Sequence, residues 1–205
     1  MQVGGDFYDF ISLGEEKLGM VIADVSGKGM PAALLMALSC ALIRVISDED
    51  ISIKEVLEKT NQRIHEYATE GYFVTAFYGV LDLTGEKLEY IRAGHNPPFL
   101  YKANSDDFIF LEGKGMGLGV LEDINLEIRR IELTSGDILV LFTDGVTEAI
   151  NPQSEEFGVT RLCRLVQEYR KHSAKQIIEK IEDELTTFVS GEPPFDDVTV
   201  MVVKV

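Results

Sequence analysis

Basic residues are scarce: Lys and Arg number 19 against 35 Asp and Glu, for a formal charge of -16 at pH 7. Phosphate backbones are held by basic patches and counterion release, and the longest basic stretches here are pairs such as Arg129-Arg130 and Arg170-Lys171. This balance argues against nucleic-acid binding and against electrostatic attraction to an anionic membrane. Long apolar runs are lacking too, since none is expected to reach the ~18 residues of a membrane span. The start, Met1-Gln2-Val3-Gly4-Gly5-Asp6, has neither the basic end nor the apolar core of a signal peptide. Together these absences predict a cytoplasmic protein. Cysteine is sparse as well. Cys40 and Cys163 fall in stretches that read as helix, with no partner at CxxC spacing, so both are expected to be small buried hydrophobes and not metal or redox groups.

What is present suits a folded domain: 45% hydrophobic and 26% charged residues lie near the average for soluble proteins, and the length favours one domain. Phe7 to Leu13 and Leu18 to Asp24 read as an opening hairpin turned at Gly14 to Lys17. Ala32 to Ile46 reads as a helix with Pro31 in its first turn. A second helix, Ile53 to Thr69, starts at a capping box of Ser52 and Glu55 and gathers Val56, Leu57, Thr60 and Ile64 on one face. Short strands follow at Tyr72 to Leu83, Lys87 to Ala93, Pro98 to Ala103, Phe108 to Leu111, Leu126 to Leu133 and Asp137 to Thr143. The first two of these are joined through Thr84-Gly85-Glu86, and such tight succession favours antiparallel pairing. Helices return at Glu155 to Lys171 and Ser173 to Val189, with Leu162, Leu165, Val166, Ile177, Ile181 and Leu185 at helical spacing. Val198 to Val205 is apolar enough for a central strand. Two helical blocks around a strand-rich middle predict an α+β layered fold.

Aspartates recur where strands end or begin: Asp6 after Gly4-Gly5, Asp24 before Gly27-Lys28-Gly29, Asp144 before Gly145, and Asp196-Asp197 before the last strand. Acids gathered at one sheet edge would repel one another, and a divalent cation is the natural compensation. Oxygen ligands without nearby His or Cys point to Mg²⁺ or Mn²⁺, and a pair of such ions suits hydrolysis at phosphorus. A turn aspartate bonded to its own backbone is the competing reading at each position, and spacing alone does not bring the four places together.

Five segments carry a resemblance. Gly4-Gly5-Asp6-Phe7-Tyr8-Asp9, Ala23-Asp24-Val25-Ser26-Gly27-Lys28-Gly29, Ala93-Gly94-His95-Asn96-Pro97-Pro98, Phe142-Thr143-Asp144-Gly145-Val146-Thr147-Glu148-Ala149 and Asp196-Asp197-Val198-Thr199 occur in this order. The chain resembles the SpoIIE/RsbU-type branch of the metal-dependent PPM (protein phosphatase 2C-like) serine/threonine phosphatases over nearly its whole length. The resemblance implies an αββα sandwich of two antiparallel sheets flanked by helix pairs, with two Mn²⁺ or Mg²⁺ ions. It implies that Asp24 bridges the ions, that the Val25 carbonyl contacts one, that Asp144 and Asp196 complete the second, and that Asp6 sits nearby. In the final motif the ligand is the first acid, which leaves Asp197 to cap or orient. Water, and no side chain, would attack a phosphoserine or phosphothreonine.

The loop after Asp24 departs from the eukaryotic relatives, which carry a histidine there. Lys28 and the N–H groups around Gly27 stand in its place and are expected to attract phosphate, a solvated lysine being the alternative. Only Met1 to Val3 precede the first motif, so the expectation is a catalytic domain excised from a longer protein with an N-terminal sensor or partner-binding segment. The resemblance further implies a phosphorylated STAS-type anti-sigma-factor antagonist as substrate in a partner-switching pathway. Two rivals are a silent module of the same fold that binds a partner protein and a small-molecule phosphoesterase. Gly4-Gly5-Asp6-Phe7 is similar to the GGDEF signature of diguanylate cyclases, but Phe7 stands where that signature has an acid. Gly27-Lys28-Gly29 lacks the spacing and the Ser or Thr of a Walker loop. His95 could serve as an acid or base, yet its Gly-His-Asn-Pro-Pro setting marks a rigid turn and favours a structural role. His65 and His172 are expected at the surface. The run Gly113 to Gly119 is expected to let the chain turn close to a sheet edge.

Overall fold

Alternating apolar residues and glycine turns build two antiparallel sheets. The computed structural model describes residues 4–49, 51–68, 71–84, 87–190 and 196–205. The chain divides into two units, one of Met1–His95 with Glu112–Leu133 and one of Asn96–Leu111 with Thr134–Val205.

The first unit holds strands β1 (Phe7–Ser12), β2 (Lys17–Val25), β3 (Val74–Asp82), β4 (Lys87–Ala93) and β7 (Arg129–Glu132) and helices α1 (Met30–Ser47) and α2 (Ile53–Tyr67). The strands pair in the order β1-β2-β3-β4-β7. Residues of one parity, Phe7, Ile11, Val21, Ala23 and Val25, join Leu35, Ile43, Ile46, Val56, Leu57 and Ile64 of the helices in one core. Each fully buried aliphatic side chain there contributes about 1.5–3 kcal/mol relative to exposure. The capping box at Ser52 forms as expected, with Glu55 N–H donating to Ser52 Oγ and Ser52 N–H donating to Glu55 Oε2 at 2.9 Å. Helix α2 is assigned to Tyr67; Thr69, given above as its end, lies outside the described residues, as do Gly85 and Glu86 of the β3–β4 turn.

Helix α1 corrects one expectation. Its 18 residues carry a single charge, Arg44, and are long and apolar enough by length and composition to cross a membrane. A helix that seats Ala32, Leu35, Ile43 and Ile46 in a core meets the same criterion. The side turned away from that core carries Met30, Leu34 and Val45.

The second unit holds β5 (Phe99–Lys102), β6 (Asp107–Phe110), β8 (Ile138–Phe142) and β9 (Val200–Lys204) in the order β6-β5-β8-β9, with α3 (Asp144–Thr147), α4 (Gly158–Glu168) and α5 (Ala174–Phe188). Phe99, Tyr101, Ile138, Val140 and Phe142 pack with Leu162, Leu165, Val166, Ile177, Ile181 and Leu185 of α4 and α5. Strand β9 is an edge and not the central strand that its apolar density suggested. Apolar content reports which faces are covered, whereas neighbours depend on strand order. Two further expectations shrink: the strand read over Leu126 to Leu133 spans Arg129–Glu132, and the helix read from Glu155 starts at Gly158. The cysteines lie in α1 and α4, Cys163 buried and Cys40 half-buried.

Candidate metal centre

In the first unit, the β1–β2 register pairs Phe7 with Ala23 and Tyr8 with Ile22. Carried one residue on, the same register sets Asp6 opposite Asp24. Successive strand residues face opposite sides, so these two acids share the face of the sheet turned away from α1 and α2. Across the other edge of β2, Asp24 pairs with Thr75 and Val25 with Val74. Gly5 permits a close approach here: a Cβ on it would lie 3.6 Å from Asp24 Oδ1 and 3.1 Å from the Val25 carbonyl oxygen. The absent side chain leaves room beside two candidate ligand oxygens.

The loop after Asp24 is tied down by Ser26, whose N–H donates to the Phe73 carbonyl and whose Oγ accepts from the Phe73 N–H, each at 2.9 Å. Gly27 and Gly29 have φ of +88° and +84°, a region open to glycine at little cost. Lys28 between them is exposed, and the loop feeds directly into α1. His95 is buried, with Nδ1 3.0 Å from Thr75 Oγ1.

In the second unit, buried β8 delivers Thr143 to the start of α3. Thr143 N–H donates to the Thr199 carbonyl, and Thr199 N–H donates to Thr143 Oγ1, each at 3.1 Å. This pins the segment that follows Asp196-Asp197 beside Asp144. Asp197 N–H donates to Asp196 Oδ1 at 3.0 Å, a local turn that orients the carboxylate. Sequence reasoning read Asp144 at a turn; it opens the four-residue helix α3.

Glu148, unassigned from the sequence, belongs to this acidic set. Its carboxyl is pushed above its usual range by burial first, then by the charges of Asp144, Glu156 and Asp196. The signal was available, because positions four apart share a helix face. Thr75 and Arg92, which support His95, were also missed, since their proximity depends on strand register.

Among the described residues, no group of three or more His, Cys, Asp or Glu side chains surrounds a single ion position. The candidate ligands expected from the sequence fall in both units: Asp6, Asp24 and the Val25 carbonyl in the first, Asp144, Asp196 and neighbouring Asp197 in the second. The donors are carboxylates and a carbonyl, and Gly5 keeps the Asp24 side open. That chemistry fits Mg²⁺ or Mn²⁺ and not a thiophilic ion.

The Stage II sporulation protein E (SpoIIE) family model matches residues 14–205. Protein IcfG of Synechocystis sp. is 34% identical over 98% of this chain and 36% of its own length. Phosphoserine phosphatase RsbU of Bacillus subtilis is 32% identical over 99% of this chain and 60% of its own length. The chain therefore spans about a third to three-fifths of these curated relatives. Among solved structures, the PP2C phosphatase domain with a regulatory-domain fragment of SpoIIE from Bacillus subtilis superposes with a TM-score of 0.85 at 21% identity, over 100% of this chain and 61% of that one. The α+β fold with two antiparallel sheets and accompanying helices is thus the fold of the PP2C-type phosphatases.

Proposed function

The chain belongs to the SpoIIE family, and from that premise we propose that it hydrolyses phosphoserine or phosphothreonine in a phosphoprotein with the help of Mn²⁺ or Mg²⁺. The observation that carries this reading is the gathering of acids in each unit, Asp6 with Asp24 at the end of β2 and Asp144 with Asp196 around Glu148. RsbU, a relative at 32% identity, is described as a phosphoserine phosphatase, which supports the reaction class.

Asp24, the Val25 carbonyl, Asp144 and Asp196 would hold two ions, with Asp6 binding directly or through water. Bound there, such ions lower the pKa of water and neutralise charge on phosphoryl oxygens. The chain's own residues supply the rest. Carboxylates gathered at one site would repel one another and favour a cation between them, which would couple the site to metal. Exposed Lys28 offers its charge to the phosphate dianion, and N–H groups around Gly27 and at the start of α1 add the positive end of a helix. No side chain serves as a covalent nucleophile. Because no histidine stands in the loop after Asp24, the leaving alkoxide takes its proton from water.

As substrate we infer a STAS-type phosphoprotein of a partner-switching pathway in the cytoplasm, with the whole chain acting as one catalytic domain under a regulatory segment. Manganese-dependent phosphate release from a phosphoserine protein, a phosphoserine peptide and p-nitrophenyl phosphate tests this. Preference for the protein is the expected result. Turnover of the small ester alone would indicate a small-molecule phosphoesterase, and turnover of none of the three a binding module.

A further inference from the structure

His95 has 2% of its surface exposed and no part in the hydrolysis described above. Its Nδ1 lies 3.0 Å from Thr75 Oγ1, and the same hydroxyl lies 3.4 Å from the backbone carbonyl oxygen of Asp24. A hydroxyl has one proton to give, and a carbonyl can only accept. Where Thr75 donates to the Asp24 carbonyl, its oxygen accepts from His95, and the imidazole proton then sits on Nδ1. The sheet itself brings these groups together: Thr75 is the β3 partner of Asp24, and Ala76 bridges to Gly94.

The turn that carries His95 is held from behind. Arg92 Nη1 donates to the His95 carbonyl and Nη2 to the Gly113 carbonyl, each at 2.7 Å. Gly94, at φ +74°, faces Gly117 so closely that a Cβ would fall 2.9 Å from the Gly117 nitrogen. Leu118 and Val74 exchange hydrogen bonds of 2.7 and 2.9 Å. Asn61 of α2 accepts from Gly119 N–H at 2.8 Å and donates to the Leu121 and Glu122 carbonyls. A ring fixed in this way can transmit its position to whatever it bonds.

We propose that His95 is a positioning residue for the ligand-bearing end of β2. Through Thr75 it holds the Asp24 carbonyl, and so the direction in which the Asp24 carboxylate and the Val25 carbonyl leave the strand. The inference rests on the metal-dependent reading given above. Groups that orient metal ligands from behind typically govern affinity by 10–100-fold.

The test is Mn²⁺ affinity by electron paramagnetic resonance titration, with the melting temperature of the metal-free protein measured alongside. His95→Asn keeps an N–H donor near the place of Nδ1, His95→Gln moves it toward Nε2, and Thr75→Val keeps the threonine shape without its hydroxyl. Thr75→Val and His95→Gln should each weaken Mn²⁺ binding by about 10–100-fold, non-additively when combined, while His95→Asn stays close to wild type. Unchanged Mn²⁺ affinity in Thr75→Val and His95→Gln would overturn the proposal, as would equal weakening by Asn and Gln. If the His95 variants do not fold, unchanged affinity in Thr75→Val alone overturns it. A wild-type protein that binds no Mn²⁺ and hydrolyses nothing contradicts the phosphatase reading itself; tight binding in wild type and all variants contradicts only the role of His95.

Discussion

Gly145 stands against Asp197 so closely that a Cβ at position 145 would lie 1.9 Å from the Asp197 carbonyl oxygen. The obstacle is backbone, so no side-chain rotation relieves it. Gly145→Ala must push the Asp196-Asp197 segment away from α3. The expected cost is about 1–3 kcal/mol of stability, together with weaker Mn²⁺ binding. Urea denaturation and metal titration check both; an unchanged Mn²⁺ affinity would show that this approach does not place Asp196.

Removing the charge of a proposed ligand should act in the opposite sense on the fold. Burial first, then the charges of Asp144, Glu156 and Asp196, raise the Glu148 carboxyl, so Asp144→Asn removes one source of like-charge repulsion in the metal-free protein. Melting curves should show metal-free Asp144→Asn at least as stable as wild type, with the stabilisation by added Mn²⁺ lost. A variant destabilised by more than about 1 kcal/mol would make Asp144 a structural residue.

Asp137 is a structural acid of another kind. Its side chain is fully buried and paired with Lys102, and it accepts from Thr134 N–H at 2.9 Å and Ala103 N–H at 3.0 Å. Burial pulls its carboxyl upward, but the Lys102 bond and the backbone donors outweigh it and hold the group below its usual range. Its stabilisation is therefore complete above the unfolded value near ~4 and is lost as pH falls through the lower folded value. Asp137→Ala should cost about 3 kcal/mol at pH 7, and Asp137→Asn should flatten the stability profile below about pH 4. Identical acid profiles for Asp137→Asn and wild type would refute this.

Burial raises the Cys163 thiol to about 11. Little thiolate exists at neutral pH, and the thiolate is the reactive form. Mass spectrometry after iodoacetamide treatment at pH 7.5 should find Cys163 unlabelled until denaturant is added. Labelling of the native protein at the unfolded rate would contradict the packing of α4.

The sequence made local features legible. Ser52 and Glu55 announce a cap three residues apart, and Val56, Leu57, Thr60 and Ile64 announce a buried face, because both signals lie within one helix. Features that depend on distant partners were not legible. The edge position of β9 follows from strand order. The start of α3 follows from Thr143 meeting Thr199, 56 residues away. The nearness of Asp6 to Asp24 needs the register of β1 on β2, and the contact of His95 with Thr75 needs β3 and β4. Gly145 reads as a turn glycine until its neighbour is known. The grouping of acids was proposed from the family resemblance and not from spacing.

The most direct measurement is Mn²⁺-dependent phosphate release from a phosphoserine protein by wild type, Asp24→Asn and Asp144→Asn, each first shown to be folded by circular dichroism. Both acids are proposed metal ligands, so the proposed reaction requires each of them. The expected result is robust, chelator-sensitive turnover in wild type and background rates in each variant. Full turnover in both folded variants, or wild-type turnover indifferent to chelator, would contradict a metal-dependent phosphatase built on these carboxylates.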